Sequence, residues 1–163
     1  MLTLITGATG FIGSHLAEEL HRKGHKLRCL VRKTSNLVWI KHLQIDYVYG
    51  DLYAEAALKQ SVAGVDYIYH VAGTTKARTR EEYFRGNHLG TKNLLNSVRE
   101  VKPNLKRFTL VSSMAAVGPA LKGTPLDEKT PFHPITAYGE SKMEAEKECL
   151  KVADSVPITI TRP

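Results

Sequence analysis

The stretch TLITGATGFIG, Thr3 to Gly13, decides how this chain folds. An apolar run leads into three glycines spaced by three, Gly7, Gly10 and Gly13, and FIGSHLAEELHRKG follows, with Phe11, Leu16 and Leu20 near helical spacing and Gly24 as a stop. The expected order is strand, glycine turn, helix. Such a turn either redirects the chain without a ligand or cradles a phosphate, because amides at a helix start face the space above the sheet and the dipole there favours an anion. A nucleoside triphosphatase loop requires Lys and then Ser or Thr after the last glycine, whereas Ser14 and His15 stand here. The common dinucleotide fingerprint sets its first two glycines two apart, and these are three apart.

Downstream segments alternate. KLRCLVR reads as a second strand, IDYVYGD as a third, AEAALKQSV as a helix and VDYIYHVAG as a fourth strand. REEYFRGNHLGTKNLLNSVREV reads as one long helix with Leu89, Leu94, Leu95 and Val98 on one side. KRFTLVSS follows as a fifth strand, YGESKMEAEKECLKVA as a helix and PITIT as a sixth strand. Parallel neighbours need crossover connections, so this alternation predicts an α/β fold with a doubly wound parallel sheet, strand order 3-2-1-4-5-6 and helices on both faces. The long irregular stretch AAVGPALKGTPLDEKTPFHPITA is the exception, and loops of that length are usually functional.

At 163 residues the chain is sized for one domain, and its apolar content of 42% is ordinary for a globular protein. No apolar stretch approaches the roughly 20 residues of a membrane helix and no leader precedes LTLITG, so no membrane partner and a cytoplasmic location are expected. Cys29 and Cys149, far apart and without paired spacing, read as buried reduced thiols. The net charge of +7 raises nucleic acid as a partner, but the cations are interspersed with acids, as in REEYFR and SKMEAEKECLK, which favours a solvated surface and no nucleic acid. His21 and His25 are four apart with Gly24 between them, which argues against a metal pair.

Chemistry enters at four places. Arg32, with Lys33 beside it, closes the second strand, where an acid would hold adenosine ribose hydroxyls and an arginine suits a 2'-phosphate; NADP is therefore preferred over NAD. Asp51, in GDL at the tip of the third strand, is placed either to meet an adenine amino group or to cap the following helix. Tyr138 and Lys142 stand four apart on a predicted helix and share a face. A tyrosine titrates near 10 and is a poor base at neutral pH, and a neighbouring ammonium favours its phenolate, so the two make a proton-transfer pair. Ser112 and Ser113 end the fifth strand at the carboxyl edge, where a hydroxyl can hold a substrate oxygen and where serines are also ordinary turn residues.

In this order the motifs resemble the extended branch of the short-chain dehydrogenase/reductase superfamily, which includes nucleotide-sugar epimerases and dehydratases, dihydroflavonol-type reductases and hydroxysteroid dehydrogenases. TGATGFIG, GDL, HVAG, NHLGTKNLL, VSS and YGESK carry the resemblance along essentially the whole chain. It implies a nicotinamide cofactor held by Gly7, Thr9, Gly10, Phe11, Ile12, Gly13, Arg32, Asp51, Leu52, Val71, Ala72 and Gly73 together with Tyr138 and Lys142. It also implies Tyr138 as proton donor or acceptor, Lys142 as its electrostatic and ribose-binding partner, Ser113 as ligand of the substrate oxygen and Asn87 as the helix asparagine supporting the site. Met114 stands where many epimerases carry the catalytic Ser or Thr, so the choice between Ser112 and Ser113 stays open, and MAA offers no Asp-Glu pair for dehydration. His70 is expected to shape the site, while His133 has no assigned role. The expected activity is hydride transfer to or from a carbon of a small-molecule substrate, a nucleotide sugar or a flavonol- or steroid-like ketone. A dinucleotide-binding module without chemistry is the alternative, and a homodimer is left open. By the same resemblance residues 1–163 are the dinucleotide-binding domain, and a substrate-binding lobe is expected beyond ITRP, outside this chain.

Overall fold

The computed structural model describes residues 1–120 and 125–163. Six strands form one sheet: β1 (Leu2–Thr6), β2 (Lys26–Val31), β3 (Ile45–Tyr49), β4 (Tyr67–His70), β5 (Arg107–Val111) and β6 (Ile158–Thr161). Every pairing is parallel and the order is β3-β2-β1-β4-β5-β6, as expected. The chain moves outward from β1 to β3 and then returns to place β4 on the other side of β1. Between β1 and β4 the connections diverge, opening a crevice at the carboxyl edge.

Side-chain alternation divides the core. Leu4 and Ile68 point to one face with Leu30, Phe108 and Leu110, where α2 (Glu55–Val62), α4 (Gly90–Val101) and α5 (Ala137–Lys151) supply Leu58, Val62, Leu94, Leu95, Ala145 and Cys149. Ile5, Leu27, Cys29 and Val31 point to the other face, against Ala17 and Leu20 of α1 (Phe11–Arg22). Helices do lie on both faces, but unevenly. No helix joins β2 to β3; Ile40 of that loop, fully buried, fills the place beside α1. Burial pushes both thiols, Cys29 and Cys149, up to about 12, which leaves them as unreactive packing groups.

The long helix expected over residues 80–101 is built in three pieces. A short helix α3 (Arg80–Tyr83) runs into a π-helical turn, Phe84–Leu89, before α4 begins. The wider turn rotates the residues that follow it relative to an uninterrupted α-helix. Leu89, expected on the apolar side, is therefore 40% exposed, while Asn87 inside the turn is 1% exposed. Phe11 departs in the same way: it is 83% exposed, and Ala17 and Leu20 carry the packing of α1 instead.

The irregular segment after β5 contains a 3₁₀ turn, Met114–Ala116. Its two ends are drawn together where the His133 amide donates to the Val117 carbonyl at 3.2 Å, giving His133 a backbone role. Residues 121–124 of that loop lie outside the described residues. Thr136 then caps α5, its hydroxyl accepting from the Gly139 amide at 3.0 Å, which sets Tyr138 in the first turn and Lys142 one turn further.

Two glycines fix the entry into α1. Gly7 adopts φ +76°, and a Cβ there would sit 2.5 Å from the Ala72 amide nitrogen. A Cβ on Gly13 would collide with the Gly7 carbonyl, whereas one on Gly10 would meet nothing nearer than 3.4 Å. Gly13→Ala is accordingly expected to cost about 1–3 kcal/mol because rigid backbone must yield. Gly10→Ala should cost about 1 kcal/mol or less, as an ordinary N-cap change. Urea unfolding of the two variants checks the order.

Candidate functional site

At the carboxyl edge, between the ends of β1, β2 and β4, lies a cleft of about 700 Å³. Its floor is the glycine turn, Gly7 to Gly13; one wall is Arg32, Ser35 and the segment Gly50–Tyr53, and the other is Val71–Thr75 with Arg85 and Gly86. All twelve residues expected at a cofactor from Gly7 through Gly73 line it. The α1 N-terminus opens on this space with no acidic side chain in its first turn, so its first amides and its dipole are left for an external anion. Arg32 is exposed at the cleft edge; its amide donates to Ser35 Oγ at 3.1 Å, while its guanidinium has no partner among the described residues. Asp51 does not cap α2, whose N-cap is Ala54; its Oδ1 accepts from the Tyr53 amide at 2.8 Å, holding the carboxylate in a turn at the cleft wall. A second groove, of about 760 Å³, lies at the opposite edge between the end of α4 and the start of β6, away from these groups.

Under the cleft a buried polar string joins β1, β4 and the π-helical turn. His70 is fully buried, with Nδ1 2.6 Å from Thr6 Oγ1 and Nε2 3.0 Å from Thr91 Oγ1. The proton positions follow from counting donors. Thr91 donates its hydroxyl hydrogen to the Asn87 carbonyl at 2.6 Å, so it can only accept from His70, and Nε2 carries the hydrogen. Nδ1 is then an acceptor, and Thr6 donates to it while accepting the Ala72 amide at 3.3 Å. Burial, and then the nearby Lys142 charge, push His70 down to about 3, so the ring is neutral and shapes the site without carrying protons.

Asn87 fastens the other wall. Its Oδ1 accepts from the Thr74 amide at 2.7 Å, and its Nδ2 donates to the Thr74 carbonyl at 3.0 Å and to Ser141 Oγ at 2.8 Å. Both amide hydrogens are thereby used within the protein, so Asn87 supports the site rather than reaching a ligand. Ser141 passes the connection on to the Tyr138 carbonyl at 2.7 Å.

On α5 the Tyr138 ring meets the Tyr83 ring edge-on, centroids 5.9 Å apart. Lys142 is 4% exposed; its Nζ donates to the Val111 carbonyl at 2.7 Å, and a Cβ on Gly73 would lie 3.7 Å from it. Burial lowers Lys142 to about 8, against an opposing pull from Glu146. The two serines are separated by strand parity. Ser112 continues the inward face of Phe108 and Leu110 and donates to the buried Glu146, while Ser113 turns away and caps the 3₁₀ turn, accepting the Ala115 amide at 3.2 Å. Tyr138, Lys142 and Ser113 stand beyond the lining of the cleft itself.

Two kinds of comparison place the chain. It matches the NAD dependent epimerase/dehydratase family over residues 3–163. It is similar to sterol demethylase protein B of Methylococcus capsulatus, 32% identical over 100% of this chain and 51% of that protein. It is also similar to ceramide reductase of Caulobacter vibrioides, 40% identical over 98% of this chain and 44% of that one. Among solved structures it superimposes on the crystal structure of gox2253 with a TM-score of 0.90 at 36% identity, covering 99% of this chain and 51% of that chain. The chain belongs to the NAD dependent epimerase/dehydratase family and spans about half the length of these relatives. No helix among the described residues is long and apolar enough to cross a membrane.

Sequence reasoning did not single out Ser35, Tyr53 and Arg85 in the cleft wall, Thr6, Thr74, Thr91 and Ser141 in the polar string, or Glu146 near Lys142. Glu146 alone carried a signal, its spacing of four from Lys142. The His70 string has a measurable consequence. The unfolded imidazole takes up its proton near 6.5 and the folded one only near 3, so the unfolded state binds more protons between those values and stability falls as pH drops through that window. His70→Gln offers a carbonyl to Thr6 and an amide to Thr91, and its urea stability is expected to lose that part of the acid slope.

Proposed function

We propose that the protein is a nicotinamide-dependent oxidoreductase of the reductase or epimerase kind, with NADP preferred over NAD. The observation that carries the reading is the conjunction, at one sheet edge, of a glycine-floored cleft with a buried lysine one turn from a tyrosine on α5. The residues present suit a dinucleotide. Gly7 and Gly13 allow the tight turn that brings the start of α1 to the cleft floor, where a pyrophosphate would meet backbone amides. The unneutralised start of α1 suits its charge, Asp51 suits an adenine amino group, and the free Arg32 guanidinium suits a 2'-phosphate. When bound, the nicotinamide ring supplies or takes up the hydride.

The chain's own residues would handle the rest. In the reductive direction the Tyr138 hydroxyl gives its proton to the substrate oxygen, and in the oxidative direction its phenolate takes that proton back. Lys142, charged and enclosed, favours the phenolate in both directions. Ser113, directed away from the core, would hold the substrate oxygen, whereas the hydroxyl of Ser112 is committed to Glu146. The substrate is a small molecule bearing a carbonyl or secondary alcohol. Names such as sterol demethylase protein B and ceramide reductase among the relatives favour an apolar ketone or alcohol over a nucleotide sugar. Polynucleotide binding is disfavoured, since three of the six Lys and Arg side chains between residues 21 and 33 are paired, Arg22 and Lys23 with Glu19 and Arg28 with Asp46.

A cofactor-binding module without chemistry remains the second reading, favoured by a cleft lining that stops short of Tyr138. Tyr138→Phe decides between them: turnover of an identified substrate should fall by about 10²- to 10⁴-fold with cofactor affinity retained. Unchanged turnover refutes the assignment. For the cofactor, fluorescence titration should show tighter binding of NADPH than of NADH. Arg32→Asp should weaken NADPH by about 10- to 100-fold, the worth of a charge-assisted contact, while sparing NADH. Equal affinity in the unmodified protein would overturn the NADP preference.

A further inference from the structure

The proposed chemistry leaves one ionisable group unused. Glu146 lies two turns along α5 from Tyr138 and one from Lys142, on the same face, and it is fully buried. An isolated carboxylate cannot be kept there; it must be paired. Arg162, just past β6, supplies a two-pronged partner, Nε to Oε1 at 3.1 Å and Nη2 to Oε2 at 2.7 Å, and Ser112 at the end of β5 donates to Oε1. The carboxylate thus ties the ends of two adjacent strands to the helix that carries the proposed proton-transfer pair.

We propose that Glu146 is a positioning residue, holding the Lys142 ammonium charged on the helix face it shares with Tyr138 while Arg162 and Ser112 hold Glu146. This rests on reading Lys142 as the partner of Tyr138. A buried ion pair by itself is weak grounds for a stability role, because well-packed apolar residues often serve as well. The placement of this one supplies a different reason. Lys142 has a single hydrogen-bond acceptor among the described residues, the Val111 carbonyl, which carries no net charge. From β4, His70 faces it as a neutral ring, and Gly73 contributes only backbone. From α5 it is faced by Tyr138, Cys149 and Glu146, and Cys149, pushed up to about 12, is a neutral thiol at physiological pH. Glu146 is the near anion, and its attraction opposes the burial that drives Lys142 down. Arg162 in turn is bonded to Glu146 through both Nε and Nη2, which keeps the carboxylate ionised and fixed in place.

The arrangement predicts shifts of opposite sign. Glu146→Gln removes the anion that opposes the cost of burying Lys142, so the lysine titration should move down by about one pH unit or more. Arg162→Gln frees the carboxylate to act on Lys142 alone, and the titration should move up. Glu146→Asp keeps the charge and should restore most of the unmodified value. The readout is the pH dependence of Lys142 acylation by acetic anhydride, followed by mass spectrometry on the intact protein. It needs no turnover, so failure of this inference and failure of the proposed oxidoreductase activity are separately visible. A purely structural salt bridge would move both Gln variants in the same direction or neither, and either result overturns the proposal. If one variant fails to fold, the other decides alone. If neither folds, the unmodified protein still tests it, since a Lys142 amine already neutral at pH 7 overturns it and a protonated one supports it.

Discussion

The close approach of the Gly7 turn to the Ala72 backbone is the constraint on which the site depends. With φ at +76° and no side chain, Gly7 lets the end of β1 turn beneath the loop after β4, and Gly13 lets α1 start against the Gly7 carbonyl. Those two contacts aim the α1 amides into the crevice where the order of the strands reverses. Thr6, the residue before Gly7, extends the arrangement downward: it accepts from Ala72, donates to His70, and through Thr91 reaches the carbonyl of Asn87. A single string of hydrogen bonds therefore registers the glycine turn against the wall that carries Gly73 and the helix that carries Tyr138.

The string also accounts for the break in the helix over residues 80–101. A continuous α-helix would satisfy every internal hydrogen bond, yet the chain inserts a π-helical turn at Phe84–Leu89. Within that turn Asn87 can spend its side-chain amide on Thr74 and Ser141 while its carbonyl accepts from Thr91. Three elements are thus joined through one residue that is 1% exposed. Turns of this kind are frequent at functional sites, where a helix must present a side chain that regular geometry would misdirect. The loss is local and small: Leu89 turns toward solvent, and the apolar face resumes at Leu94.

Much of this was legible in sequence because its causes are local. Strand, glycine turn and helix follow from adjacent residues, and the parallel sheet follows from the alternation of strands and helices. The twelve cleft residues were legible through resemblance, since their motifs are contiguous. What escaped depends on tertiary partners. Nothing near Asn87 in sequence announces the π-helical turn, and Asp51 could have capped α2 had the helix begun earlier than Glu55. That Ser112 points inward and Ser113 away from the core follows from alternation along β5, because Phe108 and Leu110 point inward and Ser112 continues their face. Glu146 was missed for a related reason: a glutamate on a charged helix reads as surface until Arg162, sixteen residues on, is known to return beneath it.

Charge burial is the physical theme that separates this helix from an ordinary amphipathic one. Tyr138, Lys142 and Glu146 occupy one face at successive turns, and two of the three are charged groups enclosed almost completely. A helix built for stability alone would place Leu or Ala at those positions, since desolvating a cation and an anion costs more than packing two hydrocarbons. The chain instead retains both charges and adds Arg162 and Ser112 to satisfy the carboxylate. Structure alone gains little from that substitution of charge for hydrocarbon, whereas a site that must hold an ammonium away from water has no apolar alternative.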